Sequence, residues 1–205
     1  MVKQVRAART RQALIDAAAE VFAEDGYAVA SLPAISKRAG VSAGALHFHF
    51  PSKDALAREV ETAAVGSVES LAMRFRSSAD TSLQALVNVT HELLLAVTAD
   101  AVIRAGFKLS GDPSRKNGAG LRQWWRTWVH ELLLQAQREG ELAEKVSPEG
   151  ATAAIVAATV GFETLGAWDR NWVSQEYVAE FWVLVLPRLA ASRHQELLVP
   201  GGTGR

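Results

Sequence analysis

The side chains best suited to bind a polyanion lie near the start of the chain. The first eleven residues carry four Lys/Arg and no Asp/Glu, and Lys37 and Arg38 follow on a short predicted helix. The whole chain has zero net charge, yet the part through Lys53 holds seven Lys/Arg against four Asp/Glu. Clustered cations attract the phosphates of nucleic acids, so this asymmetry favours DNA as a partner. Any one basic residue of the terminus, taken alone, is better explained as part of a solvated, frayed arm.

The elements that must position these cations are two short helices, predicted in the stretch SLPAISKRAGVSAGALHFHFPSK. Ile35 on the first helix and Leu46 on the second provide inward-facing apolar positions. Gly40 supplies the left-handed turn between them, and Ser42 is a good N-cap for the second helix. His47 falls on the outward face of that helix. The pattern predicts a helix-turn-helix, whose second helix has the size to enter the major groove of DNA.

Other kinds of chemistry find little support in the sequence. The chain has no cysteine, no phosphate-binding loop and no metal-spaced His/Glu set. His47 and His49 are two residues apart on a helix and therefore point in different directions. We expect neither an enzyme nor a metal or cofactor site. The N-terminus lacks an apolar signal region and no run is long enough to span a membrane, so a cytoplasmic protein is expected.

The remainder of the chain has helical periodicity and little β signal, which predicts an all-α fold of about nine helices. A first helix is expected over 10–25 and a fourth over 53–76. Further helices are expected near 81–98, 100–110, 120–139, 148–167 and 175–192. The predicted domains are an N-terminal helix-turn-helix domain (1–52), a helical ligand-binding and dimerisation domain (53–198) and a disordered tail (199–205).

The stretch from Leu14 to Leu56 resembles the DNA-binding domain of TetR-type transcriptional regulators. The matching positions are Phe22, Gly26-Tyr27, Ile35, Ala39-Gly40-Val41-Ser42, Gly44, Leu46, His49-Phe50 and Lys53. The body is similar to the γ-butyrolactone receptors of this superfamily. The similarity there lies in residues 101–110, a tryptophan fifteen residues before Gly140, and Glu141-Leu142.

The resemblance implies a homodimer that binds a pseudo-palindromic, double-stranded DNA operator and pairs through helices 148–167 and 175–192. Their apolar stripes could equally face only their own subunit's core. The DNA-binding residues that the family pattern implies are Ser31, Lys37, Arg38, Ser42, Ala43, Gly44, Ala45, His47 and Lys53. Ala43 stands where many relatives have lysine, and His47 where tyrosine is usual. Ala43 can contact a thymine methyl but cannot bond guanine.

The same resemblance implies a ligand pocket lined by Trp125, Trp128, Thr159 and Phe162. Without it, Trp125 reads as a large core residue and Thr159 as a threonine bonded to its own helix. Ala64 stands where some lactone receptors have a ligand-binding glutamine, which favours the pseudo-receptors that answer to antibiotics or intermediates. The expected function is a repressor of antibiotic-production genes released by a small hydrophobic ligand. An authentic γ-butyrolactone receptor and an effector-independent structural DNA binder are the alternatives.

Overall fold

The computed structural model describes residues 2–115 and 120–203, and these residues form ten α-helices and one short 3₁₀ helix. The α-helices are α1 (Val2–Val29), α2 (Leu32–Arg38), α3 (Ala43–His49), α4 (Lys53–Ser78), α5 (Ser82–Ala99), α6 (Ala101–Gly111), α7 (Gly120–Arg138), α8 (Pro148–Gly166), α9 (Gln175–Leu189) and α10 (Ser192–Gln195). The 3₁₀ helix spans Arg170–Val173, and an isolated β-bridge joins Leu142 to Ala190. The predicted all-α fold is confirmed.

The first helix starts earlier than the sequence predicted. α1 is helical from Val2 rather than from Thr10, so the basic arm is a helical extension in which Arg6 and Arg9 are exposed. Its regular part ends at Gly26, where φ is +76°. That left-handed conformation favours glycine and turns the chain toward α2.

Packing divides the chain into two compact units. The first comprises Met1–Ser67 with Asp100–Arg122, and the second comprises Val68–Ala99 with Gln123–Arg205. The first unit therefore holds α1 to α3, the beginning of α4, and α6, and it extends beyond the predicted helix-turn-helix domain. The functional boundary predicted between residues 52 and 53 stays a prediction.

The first unit is built around an apolar core that α1 shares with α6. Leu14, Phe22, Ile35 and Leu109 are all fully buried in this core. α4 and α6 approach so closely that a Cβ placed on Gly106 would lie only 2.5 Å from the Cβ of Ala64. Only glycine fits at that contact.

The connector after α6 is anchored in this unit by Arg115. Its guanidinium lies 2.9 Å from the buried carboxylate of Glu61 and 5.1 Å from the centre of the Tyr27 ring. Residues 116–119 of the connector lie outside the described residues.

In the second unit, α5 is the most deeply buried helix, and an acidic side chain holds its start. Glu141 accepts hydrogen bonds from the backbone N–H groups of Ser82 (3.0 Å) and Leu83 (2.8 Å). Burial raises the pKa of Glu141, and these two hydrogen bonds act in the opposite direction. A carboxylate at a helix N-terminus satisfies groups that have no partner within the helix.

Of the segment expected to be a disordered tail (199–205), residues 199–203 are seated in the second unit, and residues 204–205 lie outside the described residues. Residues 199–203 form hydrogen bonds with side chains of α5, which the apolar-poor sequence VPGGT did not indicate. Among the described residues, no single helix is long and apolar enough to cross a membrane, and only the bent pair α5 with α6 reaches that length and composition.

Candidate nucleic-acid interface and effector site

The helix-turn-helix forms because α2 and α3 each bury one apolar side. Ile35 and Leu46 are fully buried in the core of the first unit, and Phe50, directly after α3, is buried beside them. The turn between the helices places Gly40 at φ +66°. Burial of one side fixes which residues of the two helices remain outside.

Two serines begin these helices as the sequence predicted. The Ser31 hydroxyl oxygen accepts from the N–H of Ala34 (3.3 Å), and the Ser42 hydroxyl oxygen accepts from the N–H of Ala45 (3.2 Å). A capping hydroxyl accepts with its oxygen, so its own proton stays available to a second acceptor. Both hydroxyls are exposed and can donate that proton to a phosphate.

The outward side of α3 is open to solvent. Ser42, Ala43, Gly44 and His47 are exposed, and Ala45 is half-buried. A Cβ on Gly44 would meet no atom closer than 4.0 Å, so packing within the free protein does not require glycine there. A site without a side chain allows the backbone to approach a ligand closely.

Sequence reasoning missed Phe48, which lies on the same helix and is 82% exposed. Its ring contacts the ring of His49 edge-on, with the ring centres 5.2 Å apart. A large aromatic side chain left in solvent often marks an interaction surface. The signal was the unbroken run LHFH, because four successive helical residues cannot all face the core.

The two cations of α2 differ in what they contact. Lys37 is exposed, whereas the Arg38 guanidinium pairs with two carboxylates of α1, 2.7 Å from Glu24 and 3.1 Å from Glu20. The hydrogen bond from Arg38 lowers the pKa of Glu24. Arg38 therefore ties α2 to α1 in the free protein, and Lys37 is the less engaged of the two.

Lys53 is also held by contacts within the free protein. Its ammonium donates to the carbonyl oxygens of Tyr27 (2.7 Å), Ala30 (2.8 Å) and Ala28 (3.4 Å), and it lies 4.4 Å from the centre of the Tyr27 ring. The family resemblance implied a DNA contact for this residue. In the free protein its three N–H donors instead satisfy carbonyls at the end of α1, where a cation complements the helix dipole.

No metal centre is found among the residues described: they contain no cluster of three or more His, Cys, Asp or Glu side chains. The two histidines of α3 do not belong to such a cluster. His47 is exposed on α3, and His49 is half-buried between Phe48 and Phe50.

The candidate effector residues divide into two aromatic groups. The first consists of three stacked tryptophans of α7, in which Trp128 lies 5.3 Å from Trp125 and 6.2 Å from Trp124, centre to centre. Trp125 is fully buried, while the other two are half-buried. The indole N–H of Trp125 has no hydrogen-bond partner within the described chain. A buried donor without a partner is costly, and such a group often marks the place of a bound ligand or water.

The stacked tryptophans reach the surface at a groove of about 330 Å³ between α4 and α7. Trp124 and Trp128 line it, together with Met73, Glu69 and Glu131 among others. The stack therefore connects a solvent-accessible groove with the buried ring of Trp125.

The other two predicted ligand residues lie on α8 and have different neighbours. The hydroxyl of Thr159 donates to the carbonyl of Ile155 in its own helix (2.8 Å), which matches the alternative reading of this residue. Phe162 packs against Phe181 (5.7 Å) and Trp172 (6.3 Å). The recorded ring contacts of Phe162 are thus separate from those of Trp125.

The helices predicted to pair subunits, α8 and α9, have apolar side chains both inside and outside. Ile155, Val178 and Trp182 are buried in the second unit's core. Subunit pairing through these helices stays a prediction. The exposed large apolar side chains of this region are Trp168 (89%), Leu184 (77%), Val183 (48%), Tyr177 (45%) and Trp172 (36%).

Comparisons with known proteins agree with this arrangement. Residues 14–60 match the model of bacterial regulatory proteins of the tetR family. The chain is 32% identical over 194 residues to the A-factor receptor protein of Streptomyces griseus, covering 93% of this chain and 67% of the relative. A γ-butyrolactone receptor (ArpA-like protein) has a similar structure, with a TM-score of 0.80, 26% identity and 96% of both chains covered.

A third relative was solved with DNA. CprB from Streptomyces coelicolor, in complex with its biological operator sequence, matches with a TM-score of 0.77 and 27% identity, covering 95% of this chain and 94% of CprB. TetR-family regulators bind operator DNA as dimers. The helix-turn-helix, the helical second unit and these relatives lead to one assignment: the chain belongs to the TetR family of transcriptional regulators and is a γ-butyrolactone receptor-like member of it.

Proposed function

We propose that this protein is a dimeric repressor of antibiotic-production genes that a small hydrophobic ligand releases from its operator. The observation that carries the DNA-binding part is the exposed side of α3, whose opposite side is locked into the core by Leu46. A helix held in this way presents a rigid surface of small and polar residues to the major groove.

The proposed DNA-facing surface contains the predicted residues that the free protein leaves available, together with one addition. Ser31 and Ser42 would donate to phosphates, Lys37 would add charge, and His47 would bond phosphate or a base edge. Phe48 supplies an apolar contact for sugar or thymine methyl groups. The remaining small positions of this surface are Ala43, Gly44 and Ala45.

Arg38 and Lys53 have a different proposed role. Both are held by internal partners, so we assign them to positioning α2 and α4 rather than to contacts with DNA. A phosphate could recruit Lys53 only by replacing its carbonyl partners, because the three N–H donors of its ammonium are all in use.

The proposed effector site centres on Trp125, with the groove at Trp124 and Trp128 as its approach. A ligand oxygen that accepts from the Trp125 indole would satisfy the unpaired N–H, and a flat apolar body would stack on the rings. Trp128 belongs to this site. Thr159 bonds to its own helix and Phe162 packs against Trp172 and Phe181, so both enter the proposal as secondary members.

Release requires that the ligand favour one of two states of the protein. α4 is a single helix from Lys53 to Ser78, and the boundary between the compact units falls within it, after Ser67. A change in α4 is therefore the proposed route from effector to α3.

The runner-up function is an authentic γ-butyrolactone receptor, which the similarity to the A-factor receptor protein and to a γ-butyrolactone receptor favours. Against it stands Ala64, which is fully buried against Gly106 and leaves no room for the glutamine of some lactone receptors. A panel of γ-butyrolactones, antibiotics and extracts of the producing cells, tested for release of an operator fragment, separates the candidates. Release by antibiotics or intermediates supports the proposal, release by lactones alone supports the runner-up, and no release by any of them supports an effector-independent DNA binder.

Subunit pairing through α8 and α9 is the remaining proposal. The exposed apolar residues Trp168, Val183 and Leu184 are the side chains that a second copy would cover. Leu184→Glu would then give a monomer in sedimentation, whereas Val5→Glu, at an exposed apolar position of α1, would leave the dimer intact. A dimeric Leu184→Glu variant would place the pairing surface elsewhere.

A further inference from the structure

One face of α5 carries polar side chains in a helix that is otherwise buried and apolar. Gln84, Asn88 and His91 recur at intervals of four and three residues and therefore share that face. Gln84 is 5% exposed and Asn88 is 2% exposed. Buried carboxamides need partners, since each unpaired donor or acceptor costs free energy.

Gln84 donates to the side-chain oxygen of Asn88 (2.9 Å), and the other partners come from residues 199–203. Three of those four are backbone groups. The Gln84 carboxamide accepts from the N–H of Val199 (2.8 Å) and donates to its carbonyl (3.2 Å). Asn88 accepts from the N–H of Thr203 (2.8 Å) and donates to its hydroxyl (3.0 Å). Both carboxamides are thus paired on the acceptor and the donor side.

Two further side chains complete the contacts. A ring nitrogen of His91 lies 2.8 Å from the carbonyl of Pro200, and Gln175 at the start of α9 donates to the carbonyl of Gly201 (3.2 Å). Gln84, Asn88, His91 and Gln175 together form what we name the tail groove. The bound segment is a turn, because the N–H of Gly202 donates to the carbonyl of Val199 (3.0 Å). Side chains that pair with backbone groups recognise this turn with little regard to its side chains.

The two glycines of the bound segment differ in whether another residue could replace them. Gly202 has φ +82°, a conformation that residues with a Cβ rarely adopt, whereas a Cβ on Gly201 would meet nothing within 4 Å. Residues 201–203 also form one wall of a cavity of about 170 Å³, whose other walls include Phe75, Leu95 and Val178.

We propose that the tail groove is a peptide-binding site for a turn-forming, glycine-containing segment, and that residues 199–203 of the same chain occupy it as a removable wall of this cavity. Two nearly buried carboxamides that pair with one short segment are a built recognition site rather than a chance contact. The proposal does not depend on DNA binding or on the effector site at Trp125.

The first test measures amide hydrogen exchange in the full-length protein. The N–H groups of Val199 and Thr203 should exchange at least about tenfold more slowly than in the free peptide of the same sequence. Gly202→Ala should return both amides towards the peptide rate, and the matched variant Gly201→Ala should leave them protected. Exchange at peptide rates in the natural protein, or equal behaviour of the two variants, would overturn the proposal.

The second test asks whether the groove takes a peptide from outside. A fluorescent peptide of residues 197–203, added to full-length Gly202→Ala protein, should bind in anisotropy measurements. The same peptide with an N-methylated Val199 should bind at least about fivefold more weakly, because it cannot donate to Gln84. Equal binding of both peptides, or no binding, contradicts the site. Tail protection that depends on protein concentration would show exchange between copies and would contradict occupancy within one chain.

Discussion

Replacement of Trp125 by phenylalanine tests the effector site with little risk to the fold. The substitution removes the indole N–H, which is fully buried and has no partner in the described chain. The smaller ring leaves a gap that costs about 1–3 kcal/mol, while loss of the unpaired donor recovers about 1–3 kcal/mol. We therefore expect the free energy of unfolding in urea to change by less than about 2 kcal/mol.

The effector response should change far more than the stability. If the ligand accepts a hydrogen bond from Trp125, the variant leaves that ligand atom buried without a donor, at a cost of about 1–3 kcal/mol. This corresponds to a roughly 5- to 150-fold higher ligand concentration for half-release of an operator fragment. Binding of the ligand-free variant to the operator should match that of the natural protein.

Trp182→Phe is the matched control. Trp182 is also fully buried, and its indole N–H likewise lacks a partner in the described chain, but it lies on α9 and is not part of the proposed site. Its substitution should cost similar stability and leave the half-release concentration unchanged. Equal half-release concentrations for the natural protein and Trp125→Phe, or a larger effect from Trp182→Phe, would refute the reasoning.

Three further predictions follow from single contacts. Lys53→Ala should lower the free energy of unfolding by about 1–3 kcal/mol, because the charged hydrogen bonds to the carbonyls are lost. The salt dependence of operator binding should stay unchanged. If the plot of log K against log salt were flatter by about 0.9 per subunit, Lys53 would contact phosphate after all. Gly66→Ala should stabilise α4 by about 0.5–1 kcal/mol in urea unfolding, because a Cβ there meets nothing within 4 Å, and a destabilised variant would contradict this. Burial lowers the pKa of His91, so its contribution to stability is complete above the unfolded-state pKa near 6.5 and is lost as pH falls from there through the lower pKa of the folded state. His91→Gln should remove this part of the pH dependence of the free energy of unfolding, and an unchanged profile would count against it.

Local patterns predicted the framework of the molecule well. The caps at Ser31 and Ser42, the left-handed Gly40 and the buried Ile35 and Leu46 each depend on neighbours within a few residues, so the sequence contains the whole reason for them. The same holds for the helix that begins at Ser147-Pro148.

Features that depend on distant partners were not predictable in this way. Lys53 reads as a surface cation until the carbonyls of the α1 terminus are placed beside it, and the tail reads as disordered until Gln84 and Asn88 are placed beneath it. The apolar stripe of α9 could not be assigned to the core or to a partner, because periodicity shows that a face is apolar but does not show what covers it.

The most direct test of the account is selection of binding sites from a random pool of duplex DNA with the full-length protein. The account predicts enrichment of a pseudo-palindrome whose half-sites lie about one helical turn, or a multiple of it, apart. The double substitution His47→Ala and Phe48→Ala on the exposed side of α3 should abolish that enrichment while the protein stays folded. Failure to enrich any motif, or the same motif recovered with the double variant, would contradict the claim that α3 reads the operator.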